Sequence, residues 1–216
     1  MDMQLLLVRH ALPLRSEPGQ GSDPHLSDEG VEQAKRLPDA LARFPITRLV
    51  SSPQIRSVQT AQPVADALGL TVEIDERLAE YDRDMEHYIP IEQIAAEFPE
   101  ERARLAGGHL PSSVDEVAFL ARIDAGIRDL VAVGDHEDTV AVFSHGGVIN
   151  GLLHSIRAAV SAMRKNGGGQ IVIVSSVAAA DRPRPISLPL RNPFEARHAG
   201  SCPCRSSGCS SADLKP

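Results

Sequence analysis

Aromatic side chains are scarce in this sequence: there is no tryptophan, and phenylalanine and tyrosine together make up 3% of the residues. Proteins that hold single-stranded nucleic acid stack bases on aromatic rings, so the composition argues against that class. A positive excess is missing as well, and a net charge of −7 excludes a general polyanion binder. Cysteine is absent before Cys202 and then recurs at Cys204 and Cys209. The body therefore carries no disulfide framework, which fits the cytoplasm. Long apolar runs are lacking too. The first run is too short for a secretory leader or a membrane span, and no basic segment precedes it. The expectation is a cytoplasmic protein without membrane or nucleic-acid partners.

What is present is ordinary in bulk and uneven in distribution. With 216 residues, 42% hydrophobic and 24% charged, the chain can bury the core of one sizeable α/β domain. Up to Ile156 it holds 13 basic and 26 acidic residues; beyond, it holds 9 and 3. From Ala178 onward Pro, Arg, Ser and Cys dominate without period, so residues 1–177 read as the domain and 178–216 as a disordered tail. His198 with the three cysteines matches no zinc spacing.

The chain is organised around Leu5-Leu6-Leu7-Val8-Arg9-His10-Ala11. Four apolar residues read as a buried parallel strand. It ends in Arg9 and His10, and ligands of open α/β sheets bind beyond the carboxyl ends of strands. A long polar loop, Pro13 to Pro24, follows. Ser27 is placed to cap a helix with Val31, Ala34, Leu37 and Leu41 on one face. Ile46 to Val50 reads as a second strand and Pro53 to Leu68 as a helix opened by its proline. Leu70 to Ile74 reads as a third strand. The acidic stretch from Asp75 to His109, with a helix over Ile91 to Leu105, reads as an insertion over the carboxyl edge of the sheet. Val114 to Val133 is a long amphipathic helix with Val117, Leu120, Ile123, Ile127 and Leu130 along one side. Thr139 to Phe143 is a further strand, ending in Ser144-His145-Gly146-Gly147, with a helix from Val148. Ile171 to Val174 is a last strand. The alternation implies an α/β three-layer sandwich: a mostly parallel central sheet, helices on both faces, and a helical insertion over the site.

Two strands thus end in histidine. If they are neighbours, Arg9, His10, Arg56 and His145 converge, and such a cluster repels itself unless an anion sits in it. Guanidinium forks match phosphate oxygens, and the helix after Gly146-Gly147 would add backbone donors.

The chain resembles the histidine phosphatase superfamily, in its phosphoglycerate-mutase-like branch. The resemblance rests on Leu7-Val8-Arg9-His10, Leu26-Ser27 with Gly30 and Gln33-Ala34, Ser51-Ser52-Pro53 with Arg56 and Gln59-Thr60-Ala61, Arg77-Leu78 with Glu80, and Ser144-His145-Gly146-Gly147. These motifs come in the family's order and span residues 5 to about 150. The resemblance implies that His10 is the nucleophile that becomes phosphorylated. It implies that Arg9, Arg56 and His145 hold the phosphoryl oxygens and that Glu80 exchanges protons with the leaving oxygen and the attacking water. Arg15, Gly146 and His87 are expected to touch substrate. Glu86 is the rival acid, and His25, His109, His136 and His154 read as surface histidines. No cofactor and no metal are expected, because the arginines supply the charge. Ala11 stands where the family has glycine, and its methyl is expected to narrow the phosphate pocket. Residues 162–176 resemble a fragment of a short-chain dehydrogenase, without that family's glycine motif or Tyr-x-x-x-Lys pair.

The preferred reading is a metal-independent phosphomonoesterase for a small phosphorylated metabolite, with a homodimer allowed. Two alternatives stay open: phosphoglycerate-mutase transfer at the same site, and a module that binds phosphorylated ligands without turnover.

Overall fold

The computed structural model describes residues 3–16, 19–86, 88, 98–106, 109–135, 137–152 and 170–174. Among them β1 (Gln4–Arg9), β2 (Arg48–Ser51), β3 (Val72–Ile74), β4 (Thr139–Ser144) and β5 (Gln170–Val174) form one sheet in the order β3-β2-β4-β1-β5. Every pairing is parallel. The helices are α1 (Asp28–Lys35), α2 (Leu37–Leu41), α3 (Ile55–Leu68), α4 (Pro99–Ala106), α5 (Glu116–Val133) and α6, described over residues 146–152. A 3-10 turn spans Glu76–Leu78.

Side chains of a strand alternate between faces, and the apolar run of β1 serves both. Leu5 and Leu7 join Val140 and Val142 in a core closed by Phe119, Ile123, Ile127 and Leu130 of α5 and by Val148, Ile149 and Leu152 of α6. Leu6 and Val8 face the other way, with Leu49, Ala141 and Phe143, against Leu37 and Leu41 of α2 and Ala61, Val64 and Ala65 of α3. Two apolar layers on opposite faces make the three-layer sandwich. Each such leucine, fully buried, stabilises the fold by about 1.5–3 kcal/mol.

The motif residues that carry no chemistry lace the loop after β1 to the helices. The Gln33 amide oxygen accepts from the Leu12 N–H at 3.0 Å, and that of Gln59 accepts from the Leu26 N–H at 2.8 Å. Thr60 Oγ1 accepts from the Ala11 N–H at 3.0 Å and donates to the Arg56 carbonyl at 2.6 Å. Ser27 caps α1 by accepting from the Gly30 N–H. Gly30 has a steric reason: a Cβ there would lie 2.0 Å from the Leu12 carbonyl oxygen.

Several expected boundaries move. Arg36 breaks the expected single helix, and Val31 is exposed, with Gly30, Gln33 and Ala34 buried in its stead. Val117 is 80% exposed. It lies six residues from Ile123, about 120° off the buried stripe at 100° per residue, whereas Phe119 falls on that stripe and takes the core position. Pro53 precedes α3 rather than opening it, because Gln54 is still extended at ψ 135°. β2 and β3 each begin two residues late. The last helix starts at Gly146, where β4 runs directly into it. Residues 91–97 of the helix expected over Ile91 to Leu105 lie outside the described residues; its described end, Pro99–Ala106, is helical. The tail beyond 174 lies outside them as well. No helix among the described residues is long and apolar enough to cross a membrane.

Candidate active site

The strand order brings the chemistry together. β4 lies between β2 and β1, in register Arg9↔Ser144 and Ser51↔Phe143. Beyond the last rungs, the His10 N–H donates to the Ser144 carbonyl and the Ser52 N–H to the Phe143 carbonyl, each at 2.9 Å. His10, His145 and Ser52 therefore leave the sheet side by side. The two imidazole rings lie 5.1 Å apart, centroid to centroid, tilted by 56°.

His10 is 8% exposed, and its Nδ1 lies 2.8 Å from the Ala11 carbonyl oxygen. A carbonyl only accepts, so Nδ1 carries the proton and Nε2 keeps its lone pair. Burial, and then the positive charge of Arg56, push the His10 pKa down to about 3. The ring is neutral at any physiological pH. His145 is fully buried, and burial and the neighbouring His10 hold its pKa well below the ordinary imidazole range. Its Nε2 lies 2.7 Å from Ser52 Oγ, and its Nδ1 is buried with no hydrogen-bond partner among the described residues.

The two arginines differ in how far their charge is already answered. Arg56 is 0% exposed. Its Nη2 donates to both carboxylate oxygens of Asp82 at 3.0 Å, and its Nη1 to the Ser22 carbonyl at 2.9 Å. Its Nε is buried without a partner among the described residues. The ring of Tyr88 lies 4.8 Å from the guanidinium. Arg9 is half-buried, with its guanidinium against the α-carbon of Gly146, 3.6 Å from where a Cβ would be. The Arg9 side chain makes no hydrogen bond or ion pair within the described residues. The self-repelling cluster expected from the sequence is thus half-compensated by Asp82, which lies in the acidic stretch read as an insertion.

Glu80 follows the 3-10 turn and is 6% exposed. Its Oε2 accepts from the Gly147 N–H at 2.7 Å and its Oε1 from the Tyr81 N–H at 3.1 Å. Burial, and then the negative charge of Asp82, raise its pKa to about 7. The carboxyl fits only because residue 147 is glycine: a Cβ there would lie 2.3 Å from Oε1. One donor expected to face an anion, the Gly147 N–H, is therefore taken by Glu80.

The remaining sequence-derived residues are not drawn in by contacts. Arg15 stands exposed on its loop, and Glu86, His25 and His109 are exposed, with His25 beside Gln59 and His109 beside Glu116. His87, His136 and His154 lie outside the described residues. The Ala11 methyl packs with Leu26 and Ala34. Ser52 and Gln54 are site residues that sequence reasoning missed as such; both lie within the motif that carries Arg56. Among the described residues no three His, Cys, Asp or Glu side chains group as metal ligands.

These charged side chains set a pH signature on stability. Between about 3 and 6.5 the unfolded chain takes a proton on His10 that the folded protein refuses, so stability falls as pH falls through that window. Glu80 acts oppositely: between 4.5 and about 7 the folded protein keeps a proton that the unfolded chain has lost. His10→Ala should flatten the acid limb of stability by up to about 1.4 kcal/mol per pH unit. Urea unfolding at a series of acidic pH values measures it; an unchanged slope would mean that His10 titrates normally in the folded protein.

A parallel sheet whose two neighbouring strands end in histidine, with arginines and a protonatable glutamate around them, defines an α/β phosphoryl-site protein. The chain belongs to the histidine phosphatase superfamily (branch 1), whose family model matches residues 5–170. It is 36% identical to phosphoserine phosphatase 1 of Hydrogenobacter thermophilus over 105 residues, 47% of this chain and half of that protein. The chain thus spans about half the length of that relative. It is 28% identical over 162 residues to a probable phosphoglycerate mutase of Yersinia pestis, covering 71% of this chain and 74% of the other. The structure of a mycobacterial glucosyl-3-phosphoglycerate phosphatase, solved with VO3, is similar at a TM-score of 0.57 and 27% identity, covering 69% of this chain and 79% of that one.

Proposed function

We propose that the chain hydrolyses phosphate monoesters of small metabolites through a phosphohistidine on His10. The observation that carries the reading is the free Nε2 lone pair of a neutral, buried imidazole among cationic and hydrogen-bonding groups. In the first displacement Nε2 attacks phosphorus, a P–N bond forms and the P–O bond to the leaving group breaks. Glu80, with a pKa of about 7, gives its proton to the departing oxygen. In the second, water attacks phosphorus, the P–N bond breaks, and the Glu80 carboxylate takes the proton of the water. Phosphate leaves, and both side chains return to their starting states.

Both displacements spread charge over three phosphoryl oxygens, so one cradle serves twice. Arg9 brings a charge without a carboxylate partner among the described residues. Arg56 brings the unpartnered Nε and His145 the unpartnered Nδ1. Two of the three relatives above are named phosphatases, which favours hydrolysis over transfer between positions of one substrate. Mutase transfer would use the same side chains and would return no free phosphate.

Glu80→Gln tests the reading. An alkyl phosphate expels a strongly basic alkoxide, and proton donation to it is worth about 10²–10⁴-fold. A nitrophenyl phosphate expels a stable phenolate and gains little. In single-turnover phosphorylation of His10, the variant should lose that factor with alkyl phosphates, keep most of its rate with nitrophenyl phosphate, and lose the alkaline limb near pH 7. Equal losses on both substrates would remove Glu80 as the acid.

A further inference from the structure

Gln54 is buried, at 4% exposure, and stands immediately before α3, two residues from Arg56. Its side chain makes two contacts of opposite sense. The amide oxygen Oε1 accepts from the backbone N–H of Glu80 at 2.7 Å, and the amide nitrogen Nε2 donates to Asp82 Oδ1 at 2.9 Å. The orientation of the amide is dictated by its partners. Turned over, it would set N–H against N–H and oxygen against carboxylate. Its backbone is held as firmly. The Gln54 N–H donates to Ser52 Oγ at 3.3 Å, the atom that meets His145, and its carbonyl accepts from the Ser57 N–H at 2.9 Å.

Among the described residues no other hydrogen bond joins Glu80 to the segment that opens α3. Its carboxyl is held by Gly147 and Tyr81, while its main chain is fixed to α3 by this one amide. The same amide fixes Asp82, the carboxylate that pairs with Arg56. We propose that Gln54 is the positioning residue of the acid: one buried amide seats Glu80 at the N-terminal end of α3 and keeps Asp82 beside it. An acid acts only within hydrogen-bond reach of the oxygen it serves, and small displacements of such a group carry large kinetic penalties. The inference rests on the assignment of Glu80 as the acid.

The test compares Gln54→Met, Glu80→Gln and the double variant, with alkyl and nitrophenyl phosphates as probes of phosphorylation rate. Methionine fills the same volume and offers Glu80 no comparable acceptor and Asp82 no donor. Gln54→Met should lose about 10–100-fold with alkyl phosphates and less than about threefold with nitrophenyl phosphate, a split that a merely structural role does not produce. In the Glu80→Gln background it should add almost nothing with alkyl phosphates, because the group it positions is already disabled. Gln54→Glu combined with Asp82→Asn keeps an acceptor for the Glu80 N–H, lets the amide at position 82 donate to residue 54, and leaves one negative charge in the pair. That double variant should retain most of the alkyl rate. It also decides the question if Gln54→Met does not fold: a leaving-group-selective loss in it would overturn the seating role. Equal losses on both substrates in Gln54→Met, or losses that add to those of Glu80→Gln, would overturn the inference alone. If Glu80→Gln itself showed no selectivity, the acid assignment would fall and this inference with it.

Discussion

His10→Ala is expected to lose turnover by on the order of 10⁵-fold or more, the scale seen when a covalent nucleophile is removed. The fold should survive. Among the described residues the His10 side chain makes one hydrogen bond, to the carbonyl of its own neighbour, and the main-chain bond from residue 10 to Ser144 is kept by alanine. Leu5 to Val8 hold β1 in both cores without it. Wild-type protein mixed with labelled substrate and quenched in alkali should carry acid-labile label on His10, and the variant none. Turnover retained in His10→Ala would exclude a phosphohistidine at this position.

Arg56→Met should show the next largest effect, and in two separable parts. Removing the guanidinium leaves Asp82 buried without its counter-charge. Breaking a buried pair from one side costs about 3–5 kcal/mol of stability. Loss of an arginine that faces a transferring phosphoryl group costs about 10³–10⁵-fold in rate. Adding Asp82→Asn removes the orphaned charge while an amide can still meet Gln54, so the double variant should regain most of the stability in urea unfolding. It should regain none of the rate. Recovery of activity along with stability would mean that Arg56 only holds the fold and takes no part in phosphoryl binding.

The strands that end in histidine were readable because a run of apolar residues followed at once by a basic one has few other meanings beside a sheet. Their adjacency was not. It depends on the order β3-β2-β4-β1-β5, which no local pattern reports, and motif order supplied it only through the family resemblance. Ala34 and Ile123 fell on the faces expected of them, while Val31 and Val117 did not, because apolarity alone does not fix the phase of a helix that begins or breaks within a residue or two of the expected place. The acidic stretch was the least legible. Glu80, Asp82 and Glu86 look alike in sequence, and only burial separates one held near half-protonation, one paired to Arg56, and one exposed. Gln54 escaped notice because a lone amide acquires meaning only from partners 26 and 28 residues away.

The pairing of β1 with β4, Gln4 against Thr139, has a consequence for biosynthesis. A ribosome adding roughly 5–20 residues per second needs about 7–27 s to make the intervening chain. During that time Leu5-Leu6-Leu7-Val8, the apolar run of β1, has neither of its partners, since β5 comes later still. Local order can form early in the segment from α1 to α3, but the central rung of the sheet closes only after a long loop is drawn in, a step that slows folding and leaves an adhesive segment in the nascent protein. The two histidines therefore meet only after β4 is made, with β5 still to come, and a chain arrested before residue 145 holds His10 and both arginines without His145.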